Sequence, residues 1–177
     1  MAWVIWWRHL NPLIELAHKA IAAYLQERKI IPPPEKLTPE MAEAAGVFVS
    51  LKKHGELRGC IGTFAPTTEN VAQEIIRNAV ESATGDPRFT PVTPAELADL
   101  QISVDVLTSP VKVASTKDLD AKRFGVIIKR GARRGLLLPD LEGVNTPEEQ
   151  IRICRMKAGI AEDEPVELYR FEVRRYK

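Results

Sequence analysis

Apolar side chains recur every three or four positions across residues 10 to 27. Leu13, Leu16, Ala17, Ala20, Ile21, Tyr24 and Leu25 share one face, with Glu15, Lys19 and Gln26 between them. That spacing predicts an amphipathic helix. The next stretch, IPPPEKLTP, is too rich in proline for a helix or a central strand and is expected to be an extended linker. The period then changes. GVFVSLKKHGELRGCIGTF is two β-rich runs about a glycine-containing turn, which predicts a hairpin. Helical spacing returns over residues 68 to 84, with Val71, Ala72, Ile75, Ala79, Val80 and Ala83 on one face. GDPRFTPV, punctuated by Gly85, Pro87 and Pro91, reads as a loop.

TPAEL, residues 93 to 97, has the form of a capping box, with Thr93 as N-cap, Pro94 at the first helical position and Glu96 reaching back. QISVDVLTS alternates Ile102, Val104 and Val106 with polar residues and predicts a strand. FGVIIKRGARRGLLLPD predicts a second hairpin whose basic tip lies between Gly131 and Gly135. TPEEQIRICRMKAG opens with another capping box, Thr146 to Glu149, and stops at Gly159, and VELYRFEVRRYK predicts a last strand. The order helix, hairpin, helix, strand, hairpin, helix, strand favours an α+β fold with mixed or antiparallel sheets over a doubly wound parallel sheet. No repeat or low-complexity segment interrupts it.

A three-residue turn at His54, Gly55 and Glu56 would pair residues whose numbers sum to about 110. Val47, Val49, Leu51, Leu57 and Ile61 then face one way, and Ser50, Lys52, Arg58, Cys60 and Gly62 the other.

Composition adds little. The chain has 177 residues, enough for one domain or two small lobes, and 45% apolar with 28% charged residues is ordinary for a globular protein. A net charge of +1 provides no global field for nucleic acid or an acidic membrane. The opening MAWVIWWRHLNP has no small-residue cleavage site and too short an apolar run to span a bilayer. Trp3, Trp6 and Trp7 are expected to pack on the protein's own core, the alternative being a partner chain, and the protein is expected to be cytoplasmic. Cys60 and Cys154, two isolated cysteines without an export signal, are expected to stay reduced.

Chemistry concentrates in LRGCIGTF. In the register above, Arg58 and Cys60 share a face roughly 6–7 Å apart, with Lys52 opposite Arg58. Two cations beside a thiol would favour the reactive thiolate. Gly62 would leave room beside the sulfur, and Gly59 would let another backbone approach from the opposite face. The bland alternative is a small buried cysteine that only packs. His54, at the turn, is badly placed to act as its base. Three histidines and two cysteines show no paired spacing, so neither a metal nor a cofactor is called for. DPRF, Asp86 to Phe89, could clamp a polar ligand or simply fasten a turn. KRGARR puts four cations at a hairpin tip, which suits phosphate contact or merely keeps a loop solvated.

GVFVSL, LRGCIG, DPRFTPV, ISVDVL, GLLLPD and KAGI stand in the order and spacing of a known family. The chain resembles the AMMECR-one domain family, also called AmmeMemoRadiSam system protein A, from about the first helix to the last strand. The resemblance implies a single domain over 1–177 with two unequal lobes and a cleft between them. The larger lobe would be built from both termini and the smaller from the middle of the chain. By motif it implies that Arg58, Gly59, Cys60, Ile61 and Gly62 line the cleft, with Asp86, Arg88 and Phe89, and with Lys157 and Gly159. Cys154 is outside the pattern. Asp140 stands where some relatives have Gln, and in some relatives the domain is joined to a Memo-like, dioxygenase-related domain. The family name implies a Memo-like protein and a radical S-adenosylmethionine protein as partners.

Three functions compete. The first is a module that binds a small-molecule ligand or substrate through Gly59, Gly62, Asp86, Arg88 and Lys157 and serves a modification system. The second is a cysteine-dependent enzyme with Cys60 as nucleophile and Arg58 stabilising negative charge. The third is an RNA-contacting factor using the tip at Lys129 to Arg134 and the basic C-terminus of Arg170, Arg174, Arg175 and Lys177. The lack of an obvious base near Cys60 favours the first over the second, and the small net charge weakens the third.

Overall fold

The computed structural model describes residues 11–177; the segment carrying Trp3, Trp6 and Trp7 lies outside the described residues. It contains four α-helices, α1 (Pro12–Glu27), α2 (Pro39–Ala42), α3 (Val71–Thr84) and α4 (Pro147–Ala158). The strands are β1 (Val47–Lys53), β2 (Glu56–Gly62), β3 (Leu100–Leu107), β4 (Val111–Val113), β5 (Gly125–Arg130), β6 (Arg133–Leu137), β7 (Glu167–Phe171) and β8 (Val173–Tyr176). The fold is α+β, with one four-stranded sheet ordered β2-β1-β3-β8 and another ordered β4-β7-β5-β6. The chain divides into two compact units, one of residues 1–106 with 175–177 and one of 107–174. Among the described residues no helix is long and apolar enough to cross a membrane.

In the first unit, Asn11 caps α1 by accepting from the Leu13 N–H at 2.9 Å, and Pro12 occupies the first turn. The predicted apolar stripe is buried, Leu13 to Leu25, except that Tyr24 is only partly covered. Val47, Val49 and Leu51 of β1 and Val104 and Val106 of β3 are fully buried in the same core as α1 and α3. Antiparallel pairing sets Val49 opposite Val104 and Leu51 opposite Ile102, as alternation demands.

The helix after the hairpin starts at Val71, because Asn70 caps it by accepting from Gln73 N at 3.0 Å. Its polar residues depart from the amphipathic expectation. Glu74, Asn78 and Ser82, spaced by four, are all at most 1% exposed. They form a second buried stripe that fastens the helix to backbone groups. Asn78 Nδ2 donates to Val47 O at 2.8 Å. Ser82 Oγ accepts from Ile61 N and donates to Val49 O, both at 2.8 Å, so it bridges paired residues of β1 and β2. Glu74 accepts from Thr63 Oγ1 (2.8 Å), Thr67 Oγ1 (2.7 Å), Thr68 N (2.8 Å) and Thr67 N. Burial works to raise the Glu74 pKa, but these hydrogen bonds outweigh it and leave it lowered.

The hairpin register holds as expected from Phe48–Gly62 to Leu51–Gly59, then shifts. Lys52 faces Leu57, and Arg58 is the extra residue of a bulge. The turn is therefore the two residues His54 and Gly55, both at positive φ (52° and 84°), not three. The bulge puts Leu57 on the Cys60 side of the sheet, where it is 41% exposed, instead of in the core. The last strand also differs. It breaks at Glu172 into β7 and β8, which belong to different sheets. The linker runs into the single turn α2, capped by Thr38.

In the second unit, α4 packs against β5 and β6 through Cys154, with Val126, Ile128 and Leu137 in the same cluster. Thr146 caps α4 with Glu149 reaching back, and Gly159 ends it at φ 62°. A Cβ on Gly135 would lie 2.0 Å from Cys154 O, so that strand glycine admits the helix backbone.

The first unit repeats the device. A Cβ on Gly59 would lie 2.0 Å from Ser82 O. Gly59→Ala is expected to destabilise the protein by about 1–3 kcal/mol or more through overpacking. Ser82→Ala, which removes the hydroxyl's two hydrogen bonds to Ile61 N and Val49 O, should cost about 1–3 kcal/mol. Urea unfolding of the two variants checks both values, and a wild-type midpoint for either contradicts this packing.

Candidate functional site

β2 is an edge strand, so the N–H and C=O of Cys60 need partners from outside the sheet. The loop that leaves α3 supplies them. Asp86 Oδ2 accepts from Cys60 N at 2.9 Å, and Arg88 Nη2 donates to Cys60 O at 3.3 Å. Asp86 is 5% exposed and fully engaged. Its Oδ1 accepts from Arg88 N (3.1 Å) and Nε (3.0 Å), and its Oδ2 from Arg88 Nη2 (2.7 Å). The Arg88 hydrogen bonds hold the Asp86 carboxyl well below the usual range, against burial and with help from Cys60 N–H. The sequence motifs around Cys60 and DPRF thus meet through direct bonds.

Arg58 does not serve the thiol. Its Nε and Nη2 make a fork to Glu96 Oε1 (3.0 Å) and Oε2 (3.1 Å), and Nη1 donates to Thr90 O at 2.8 Å. Lys53 Nζ joins the same carboxylate at 3.1 Å. Glu96 keeps its capping role, accepting from Thr93 N at 2.9 Å. The Arg58 hydrogen bonds, with those of Thr93 and Lys53, bring the Glu96 pKa down to about 2. Arg58 is a tie between the bulge and the 90–96 segment, its fork taken by Glu96.

The Cys60 side chain is half-buried, and its Sγ lies 3.2 Å from Ser50 Oγ. Burial pushes the thiol pKa up. Ser50 and the charge of Arg88 pull it down without overcoming burial, and the charges of Asp105 and Asp86 add to the rise. The lowering expected from Arg58 and Lys52 is therefore corrected: the shift is upward, with burial as its main cause. A Cβ on Gly62 would lie 2.2 Å from the Phe48 ring, so the glycine makes room for Phe48. Gly59 admits α3 on the other face, as its lack of a side chain suggested.

Alternation and pairing put Ser50, Cys60 and Ser103 in one row on this face, with Phe48, Gly62 and Asp105 in the next. Asp105 is buried and forms a fork with Arg175 at 2.8 and 2.9 Å. Sequence reasoning put Ser50 on the correct face without assigning it a role. It missed Ser82, the second role of Glu96, and the Asp105–Arg175 pair, whose members are 70 residues apart. Only the capping box hinted at Glu96.

Lys157 belongs to the second unit, where its Nζ donates to Leu136 O at 3.1 Å. Cys154 is buried there as a free thiol with its pKa pushed up to about 12 by burial. The basic tip is partly neutralised. Glu164 takes Arg130 at 2.8 Å and Arg133 at 2.6 Å, and Arg133 also donates to Gly159 O. That internal pairing weakens the case for phosphate contact. Among the described residues no group of three or more His, Cys, Asp or Glu side chains is placed to hold a metal ion.

A family model described as AMMECR1 matches residues 14–176. A protein of Thermotoga maritima is 51% identical over 94% of this chain and 98% of its own length. One of Clostridium acetobutylicum is 48% identical over 94% of this chain, which spans only 36% of that relative. The crystal structure of an uncharacterized protein from Pyrococcus horikoshii superposes with a TM-score of 0.85. It is 35% identical, over 92% of this chain and 88% of that one.

Alkylation of Cys60, followed against pH, should inflect above the ordinary thiol value of about 8.5. An inflection below it would restore the activated thiolate. Glu96 has its pKa lowered on folding, so its contribution to stability is present above about pH 4.5 and is lost as pH falls toward about 2. Acid titration of unfolding stability should show a shallower loss in Glu96→Gln over that window. Equal slopes would contradict the Arg58–Glu96 tie.

Proposed function

The chain belongs to the AMMECR1 family, and from that premise we propose that it is a binding module without covalent chemistry of its own, whose ligand lies on the Cys60 face of the first sheet. The observation that carries this reading is the state of the thiol. A nucleophilic cysteine needs a base or a cation to hold its thiolate. Cys60 has a hydroxyl as its side-chain partner and a raised pKa, while the nearest arginine in sequence is committed to Glu96. A neutral thiol beside a hydroxyl and a fixed guanidinium is a set of hydrogen-bonding groups suited to recognition. In this reading the module presents its ligand within a modification system that includes a Memo-like protein and a radical S-adenosylmethionine protein. The Clostridium relative, of which this chain spans 36%, supports work beside other domains, since the same unit occurs there within a longer protein.

Cys60→Ser separates binding from catalysis, because a hydroxyl replaces the donor and acceptor but not the nucleophile. Small molecules that co-purify with the wild-type protein should be found by untargeted mass spectrometry with the Cys60→Ser variant too, at comparable occupancy. A covalent adduct on wild-type Cys60 in the intact-protein mass, absent from the variant, would instead establish the cysteine enzyme.

A further inference from the structure

We propose that the ligand of this face carries an oxyanion, a carboxylate or a phosphate, that docks on the open Nη1 of the Arg88 guanidinium beside Cys60 and Ser50. The proposal rests on the binding reading above and names the chemistry of the ligand.

Arg88 differs from an ordinary surface arginine in being fixed before anything binds. Asp86 holds Nε and Nη2 at 3.0 and 2.7 Å, and Cys60 O takes Nη2 at 3.3 Å. The Phe89 ring lies 5.4 Å from Cζ. One edge of the guanidinium is thereby used, and the rotamer entropy a free arginine would lose on binding is already lost. Nη2 spends one hydrogen on Asp86 and the other on Cys60 O, which leaves Nη1 as the open end. Among the described residues Nη1 donates to nothing, and the side chain is 56% exposed. The two N–H groups of a nitrogen held in place this way can donate to an oxygen of a carboxylate or phosphate.

The neighbouring charges and donors fit an anion. The Asp86 charge is met by Arg88 and that of Asp105 by Arg175, so neither carboxylate stands unpaired against an incoming anion. Cys60 Sγ and Ser50 Oγ have only each other as side-chain partners among the described residues, so either can turn a proton toward a ligand oxygen. Lys52 is exposed on the same face.

The test uses the full chain labelled for NMR and follows the Arg88 Nε–Hε signal and the rate of Cys60 alkylation. Inorganic phosphate and succinate are titrated separately, with chloride at matched ionic strength as the control. A saturable shift with at least a twofold slowing of alkylation is expected from one or both oxyanions, the tighter one identifying the class. Arg88→Lys keeps the charge and loses Nη1, and should weaken binding about tenfold, a change of about 1.4 kcal/mol, measured well below a urea midpoint that falls because the Asp86 fork is broken. Ser50→Ala, which leaves Arg88 untouched, should weaken it less. Non-saturating shifts equal to those of chloride, or equal affinity in Arg88→Lys, overturn the proposal. If the oxyanions fail while a small molecule still co-purifies with both wild type and Cys60→Ser, the oxyanion assignment falls and the binding module stands. If nothing co-purifies either, both fall.

Discussion

The first unit depends on the approach of a helix carbonyl to a strand glycine. Ser82 O sits where a side chain on Gly59 would be, which brings α3 down onto β2. At that distance the Ser82 hydroxyl reaches between β1 and β2, and Asn78 reaches the β1 backbone. The same approach fixes where the helix ends. Asp86 and Arg88 leave α3 within a few residues of Ser82 and so emerge beside Cys60. Site geometry therefore follows from a packing contact on the opposite face of the strand. The second unit solves a similar problem in the same way, with Gly135 under Cys154.

An edge strand exposes backbone groups that invite pairing with another chain. Here two arginine–carboxylate pairs cover the edge of β2. Asp86 with Arg88 satisfies Cys60, and Arg58 with Glu96 fastens the bulge to the 90–96 segment. Both carboxylates have lowered pKa values, so both ties hold at neutral pH and weaken in acid. Glu74 adds a third depressed carboxylate, buried at the start of α3. The charges that look chemically active in the sequence are largely spent on holding the strand in place.

That use of charge separates the functional readings. Nucleophilic chemistry at Cys60 by way of Arg58 would require that cation to face the thiol, and its fork is taken by Glu96. RNA contact would require an unshared basic tip, and Glu164 engages two of its arginines. The Cys60 face carries a thiol, a hydroxyl, the exposed Lys52 and the Arg88 guanidinium with Nη1 open.

The sequence alone determined the elements and their class, because side-chain period and caps are local properties. Thr146 and Gly159 start and end their helix where the sequence pattern put them. The order of LRGCIG and DPRF also identified the family, and alternation put Ser50 and Cys60 on one face. Three things were decided only by the tertiary structure. The bulge at Arg58 is invisible to alternation, since an extra residue changes the register without changing composition. The division of the last strand at Glu172 depends on which sheet each half pairs with. The partners of the charged groups, Arg58 with Glu96 and Asp105 with Arg175, are 38 and 70 residues apart, and no local pattern links them. Whether a cation activates a thiol is set by which carboxylate reaches that cation first, and only the folded chain fixes those distances.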